Sequence, residues 1–138
     1  MKRSIVSAVS IVLVSIFFCP MLMAAPPMPA DLQMVQPDPS LPKELSAFFG
    51  KWEGTADISG RGIEFFVIVE SVDKEKASLY IYRTDLGWVR YEATVSKERG
   101  KYKLSFRGRE GWCELTMKEE YLDLYIPPRA TARLRRVP

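Results

Sequence analysis

From residue 52 to residue 137 the chain alternates apolar and polar side chains in short runs, and every run ends in a three- or four-residue turn signal. Period-two alternation is the pattern of a half-buried β-strand. The predicted strands cover 52–58, 63–72, 77–83, 88–96, 101–107, 112–117, 121–126 and 130–137. None of the connections is long enough for a crossover helix, so consecutive strands must pair antiparallel. Eight antiparallel strands with one apolar face each bury those faces by closing on themselves, and closure also removes the exposed strand edges. The expected fold is therefore all-β, an eight-stranded up-and-down meander barrel. A two-sheet sandwich is the alternative packing, and the regular short turns favour the meander.

The apolar faces can be assigned strand by strand. Trp52, Gly54, Ala56 and Ile58 share one face of the first. Val89, Tyr91, Ala93 and Val95 alternate with Arg90, Glu92 and Thr94 in the fourth. Tyr102, Leu104 and Phe106, then Cys113, Leu115 and Met117, then Leu122, Leu124 and Ile126 face inward in the next three. The second strand is apolar on both faces, with Phe65, Val67 and Val69 opposite Phe66 and Ile68. If Phe66 and Ile68 face the interior, Glu70 is inside too and needs a partner such as Arg90 or Arg133.

Before the barrel stand three different segments. Residues 1–25 carry Lys2 and Arg3, an apolar run from Ile5 to Phe18, and small residues at Ala24 and Ala25, the layout of a secretory signal peptide. Cys19 raises a lipoprotein alternative, although Phe17 and Phe18 are too bulky for a lipobox. An uncleaved anchor is the other alternative, and the one route by which this chain would meet a membrane. Residues 26–42 hold six prolines and read as an extended, semi-rigid linker that spaces the domain from its N-terminus. Residues 43–138 are the barrel domain. It opens with a short helix that Ser40 caps, with Leu45, Phe48 and Phe49 on one face, suited to lie across one mouth of the barrel.

Removing residues 1–25 takes Lys2 and Arg3 with it and leaves 18 basic against 17 acidic residues. So balanced a chain lacks the basic excess of a nucleic-acid partner. Cys113 is then the one remaining cysteine, which excludes an intramolecular disulfide and reads as a small buried apolar residue. The chain has no histidine, so it holds neither a Ser-His-Asp nor a Cys-His hydrolase site, nor a histidine-ligated metal. No glycine-rich phosphate loop leads from a strand into a helix. No cofactor is implied.

Gly50-x-Trp52 at the head of the first strand, followed by an eight-strand pattern that ends in Ala132-Arg133-Leu134-Arg135-Arg136, resembles the lipocalin and calycin barrels. The resemblance covers roughly residues 45–137 and extends to small lipocalin-like domains of bacterial exported proteins. It implies a structural signature in which Trp52 stacks with Arg133 or Arg135 at the closed end, with Gly50 beside it. It departs from ligand-carrying lipocalins in strand length: strands of about six to nine residues are ordinary for soluble proteins and leave little depth for a cup.

What remains for function is carboxylates, aromatics and arginines. Glu53, Asp57, Glu64, Glu70 and Glu92 show no spacing that selects an acid–base pair, and they read as outer-face charges. Tyr80, Tyr82, Trp88 and Tyr91 flank one turn and are the expected ligand-binding lip of an open mouth. The expectation is an exported, periplasmic or secreted non-enzymatic barrel that binds a small apolar or amphipathic ligand or an envelope component. The alternative is a filled-core protein-interaction module, such as an inhibitor of an exported hydrolase, that projects a charged loop residue, Arg61 or Arg109.

Overall fold

The computed structural model of the chain describes residues 25–138. The signal-peptide, lipidation and anchor expectations fall on residues outside that range. Eight strands follow one short helix: α1 (Lys43–Ser46), β1 (Gly50–Ile58), β2 (Arg61–Val72), β3 (Lys76–Arg83), β4 (Gly87–Glu98), β5 (Lys101–Arg107), β6 (Trp112–Lys118), β7 (Tyr121–Ile126) and β8 (Ala130–Val137). Each strand pairs antiparallel with its sequence neighbours, and β8 returns to β1, so the order β1 to β8 forms a closed barrel consistent with a lipocalin-like one. β2 and β4 have 12 residues each, longer than the alternation suggests, because their solvent-facing ends continue the ladder beyond the apolar run.

Residues paired across an antiparallel ladder point to the same face. Trp52 pairs with Val67 on one side and with Arg136 on the other, so this pairing carries the inward parity round the seam. The interior is one cluster containing Trp52, Ala56, Phe65, Val67, Val69, Leu79, Ile81, Leu104, Phe106, Leu115, Leu122, Leu124 and Leu134. β2 therefore presents Phe65, Val67 and Val69 to the core, and the conditional placement of Phe66, Ile68 and Glu70 inside is corrected. Glu70 points outward by the same alternation as Phe66 and Ile68, and a register shift between Val69 and Ser71 leaves it unpaired in the ladder.

α1 lies over the end where β1 begins. Leu45 and Phe48 are fully buried in the same cluster, and the Trp52 indole Nε1 donates to the Phe48 carbonyl at 3.0 Å. The helix starts after Pro42 with no side-chain cap, and the Ser40 N–H instead donates to Asp38 Oδ1 at 2.7 Å. Ser40 thus belongs to the preceding turn rather than capping the helix. At the other end, the β4–β5 ladder covers Thr94–Glu98 against Lys101–Ser105 and goes no further. The wall parts there, which leaves Val89 37% exposed although it shares the inward parity.

The proline-rich segment is not a free spacer. Residues 25–36 run across the outer wall of β2, β3 and β4, and Leu41 is buried in the core cluster. A linker reading considers only the stiffness of proline. It overlooks the apolar outer face of β2 and β3, where Ile68 and Tyr80 would otherwise stand in water.

Candidate functional site

Both mouths of the barrel are closed, each by an arginine over an aromatic ring. At the α1 end, the Arg136 guanidinium sits 4.2 Å from the Trp52 ring centre and donates to the carbonyls of Phe49 (2.7 Å) and Ala47 (2.6 Å). It has no acidic partner there, and burial pushes its pKa down from the ordinary arginine value. Gly50 makes room for it: φ is +127°, and a Cβ would lie 2.6 Å from Arg136 Nη1. The stack expected for Arg133 or Arg135 belongs to Arg136. The reason is parity, because Ala132, Leu134 and Arg136 share the inner face of β8 while Arg133 and Arg135 point out. Arg133 pairs with Asp123 on β7 (2.9 Å), and Arg135 pairs with Glu53 on β1 (2.6 Å).

At the opposite mouth the plug is Arg83. It continues the inward series Ala77, Leu79, Ile81 and lies with its guanidinium 5.6 Å from the Phe65 ring centre. It donates to both Asp85 oxygens (3.0 and 2.8 Å) and to Glu110 Oε1 (2.7 Å), tying the β3–β4 turn to the β5–β6 turn. Burial works against this charge, but its hydrogen bonds to Asp85 and then Glu110 outweigh it and hold the group up. The same bond, ahead of the burial that opposes it, holds Asp85 below the usual carboxylate range. Beneath Arg83, Tyr91 packs on Phe106 with ring centres 4.8 Å apart. The recess at this mouth, lined by Arg83 and Glu110 above and by Phe65, Tyr91, Phe106 and Cys113 below, is about 20 Å³, room for one water at most.

The four aromatics expected at a lip do not form one. Tyr91 is inside. Tyr80, Tyr82 and Trp88 stand on the outer wall, where the Trp88 ring centre lies 6.4 Å from Tyr80 and 5.4 Å from Tyr82, and Phe66 lies 6.0 Å from Tyr82. Side chains of odd and even number leave a strand on opposite faces, which separates Tyr91 from Tyr80, Tyr82 and Trp88 although all four flank one turn. Residues 25–36 lie over this cluster. Trp88 Nε1 donates to the Pro27 carbonyl (2.7 Å), Gln33 N–H to Glu70 Oε2 (3.1 Å), and Val35 N–H to the Glu70 carbonyl (2.8 Å). Glu70, 4% exposed, also accepts from Ser78 Oγ (2.7 Å) and Arg90 (2.8 Å). Of the other carboxylates, Glu53 and Glu64 line one open recess on the outer wall with Arg133 and Arg135, where Glu53 is committed to Arg135, and Asp57 accepts from the Gly60 N–H.

The largest apolar side chain left in solvent is Trp112, 60% exposed on the outer face at the start of β6. It pairs with Arg107, and Tyr125 stands diagonally on β7, its hydroxyl donating to the Pro128 carbonyl at 2.8 Å. Arg107, Arg109 and Arg129 are exposed around this same end. Strand alternation alone placed Trp112 opposite Cys113. What it could not supply was that no later segment of the described residues covers that face. No known protein family, curated protein or solved structure matches the chain.

Proposed function

We propose that this chain is a small exported barrel of the calycin type that catalyses nothing and works as a filled-core protein-interaction module through its exterior. The observation that carries this is the solid interior: Arg83 closes the mouth and leaves about 20 Å³ beneath it, whereas small-molecule pockets need several hundred. Carriage of an apolar ligand would require breaking the Arg83 bonds to Asp85 and Glu110 and displacing Tyr91 from Phe106. The exterior, by contrast, offers the side chains that dominate protein interfaces. Trp112 and Tyr125 provide apolar area, and Arg107, Arg109 and Arg129 provide charge around them. Arg109 projects from a turn held in place by the Arg83–Glu110 pair, so it is presented without a large ordering cost. The partner fitted to this surface is an envelope protein with an acidic rim around an apolar recess. An exported hydrolase that the chain inhibits is the partner we have in view.

Native mass spectrometry of the chain isolated from its own cell envelope tests the proposal. The expected result is a stoichiometric protein partner, lost from Trp112→Ala and weakened at least about tenfold by Arg109→Glu, with the thermal midpoint unchanged. Co-purified lipid with no protein partner would overturn it in favour of ligand carriage.

A further inference from the structure

We infer that the outer-wall groove formed by Phe66, Tyr80, Tyr82, Trp88 and Glu70 is a recognition site for an extended, proline-bearing polypeptide segment of a partner, and that residues 25–36 occupy it in cis. This does not depend on the Trp112 surface.

The groove is read by backbone chemistry. All three hydrogen bonds between wall and strap go to strap backbone: the Pro27 carbonyl, the Gln33 N–H and the Val35 N–H. In an extended chain the N–H groups of residues 33 and 35 point the same way, and Glu70 accepts both, one with its carboxylate and one with its carbonyl. Arg90 and Ser78 hold that carboxylate in place. At the other end, an indole N–H donating to a proline carbonyl beside tyrosine rings is the chemistry by which aromatic grooves read polyproline II segments. Proline arrives there already extended and loses little entropy on docking. Apart from Asp31, which faces the Tyr80 hydroxyl, nothing in this set demands the particular side chains of residues 25–36. It demands an extended backbone, a proline carbonyl near Trp88 and two outward N–H groups near Glu70.

Two further observations show that the resident segment does not exhaust the site. The Tyr80 hydroxyl is buried beneath the strap and faces the Asp31 side chain without a hydrogen bond of good geometry, a demand that a better-fitting segment could satisfy. A cleft of about 180 Å³ also remains between Pro26, Met28 and the wall at Phe66, Ile68, Trp88 and Val137. A bulkier proline-bearing segment than Pro26-Pro27-Met28-Pro29 has room there.

The test uses the full chain and follows its indole N–H resonances while a synthetic peptide of residues 25–36 is added. Trp88 reports the groove, and Trp52, bonded to the Phe48 carbonyl, is the internal control. A tethered strap competes at an effective concentration on the order of millimolar, so wild type should respond only to millimolar peptide. Gln33→Pro removes one donor to Glu70 and should lower the half-saturating peptide concentration about fivefold. Faster hydrogen exchange of the Trp88 indole verifies strap release. Where it stays slow, Pro27→Gly is added to Gln33→Pro before titration. A peptide carrying glycine for Pro26, Pro27 and Pro29 should bind at least about tenfold more weakly. The inference is overturned if the released groove shows no saturable Trp88 shift up to about 10 mM peptide, or if the glycine peptide binds equally well. It is overturned as well if the chain forms a dimer in which each strap lies on the other copy, since the occupant would then be a second copy.

Discussion

Replacing Arg136 with alanine should destabilise this barrel more than removing any other arginine of β8. The guanidinium lies 4.2 Å from the Trp52 ring centre, a contact worth about 1 to 2 kcal/mol when the ring is desolvated, and Trp52 is 1% exposed. Its two bonds to the Phe49 and Ala47 carbonyls are charge-assisted, but the side chain is partly solvated. A discounted value of about 0.5 to 1 kcal/mol each is appropriate. The total is about 3 kcal/mol, a large share of the stability of a domain this size. With a urea slope of about 1.5 kcal/mol per molar, Arg136→Ala should lower the unfolding midpoint by about 2 M. Arg135→Ala removes a pair whose arginine side chain is 74% exposed and should cost less than about 1 kcal/mol. Arg136→Lys keeps the charge but loses the fork that spans two carbonyls and the ring, so it should fall between the two. Far-UV circular dichroism in urea at neutral pH makes the measurement. A midpoint for Arg136→Ala within 0.5 M of wild type (~0.75 kcal/mol at that slope), or an equal loss in Arg135→Ala, would refute the seam as described.

Gly54→Ala should cost more than about 3 kcal/mol in the same assay, because a Cβ there collides with the Arg133 carbonyl oxygen and with Leu134 Cδ2 across the β1–β8 seam. Gly50→Ala and Arg136→Ala should be strongly non-additive in a double-mutant cycle, since the added methyl displaces the guanidinium that the second change removes. Asp73 is held below the usual carboxylate range by the Glu75 N–H and then the Lys76 N–H, so its contribution is present above about pH 4. That contribution is lost as pH falls through its lowered value, and Asp73→Asn should flatten the acid limb of the stability–pH curve while lowering the plateau above pH 5 (~1 unit above that range). Cys113 is buried, and that burial pushes its thiol pKa up; native protein should react with a disulfide reagent far more slowly than urea-unfolded protein, as absorbance kinetics will show.

Strand number, order and most inward faces were legible from alternation alone. β5, β6 and β7 present the faces that Leu104, Leu115 and Leu124 predict, because each has a single apolar side. β2 was ambiguous for a physical reason. Both of its faces are apolar, and only the strap over Ile68 explains why the outer one tolerates it. The two arginine plugs were within reach of the same parity count, since Arg83 follows Ala77, Leu79 and Ile81, and Arg136 follows Ala132 and Leu134. A charge at the end of an apolar series is easily read as the point where the buried face stops. Here it is where the barrel is sealed. The aromatic group at Tyr80, Tyr82, Trp88 and Tyr91 was found as a cluster in sequence and is split by the wall in space.

The amino-acid sequence determined eight antiparallel strands with one apolar face each, and its regular short turns favoured a closed meander over a two-sheet sandwich as the way to bury those faces. It also determined which chemistries are missing, since a chain without histidine cannot form sites that require it. Tertiary structure decided everything that depends on which distant groups meet. It gave the inward-facing Arg136 the Trp52 ring and the Phe49 and Ala47 carbonyls, tied Arg83 to Glu110 across the second mouth, and laid a proline-rich segment on an aromatic wall. Those choices rest on contacts between residues up to 89 positions apart, such as Ala47 with Arg136, and local periodicity carries no record of them.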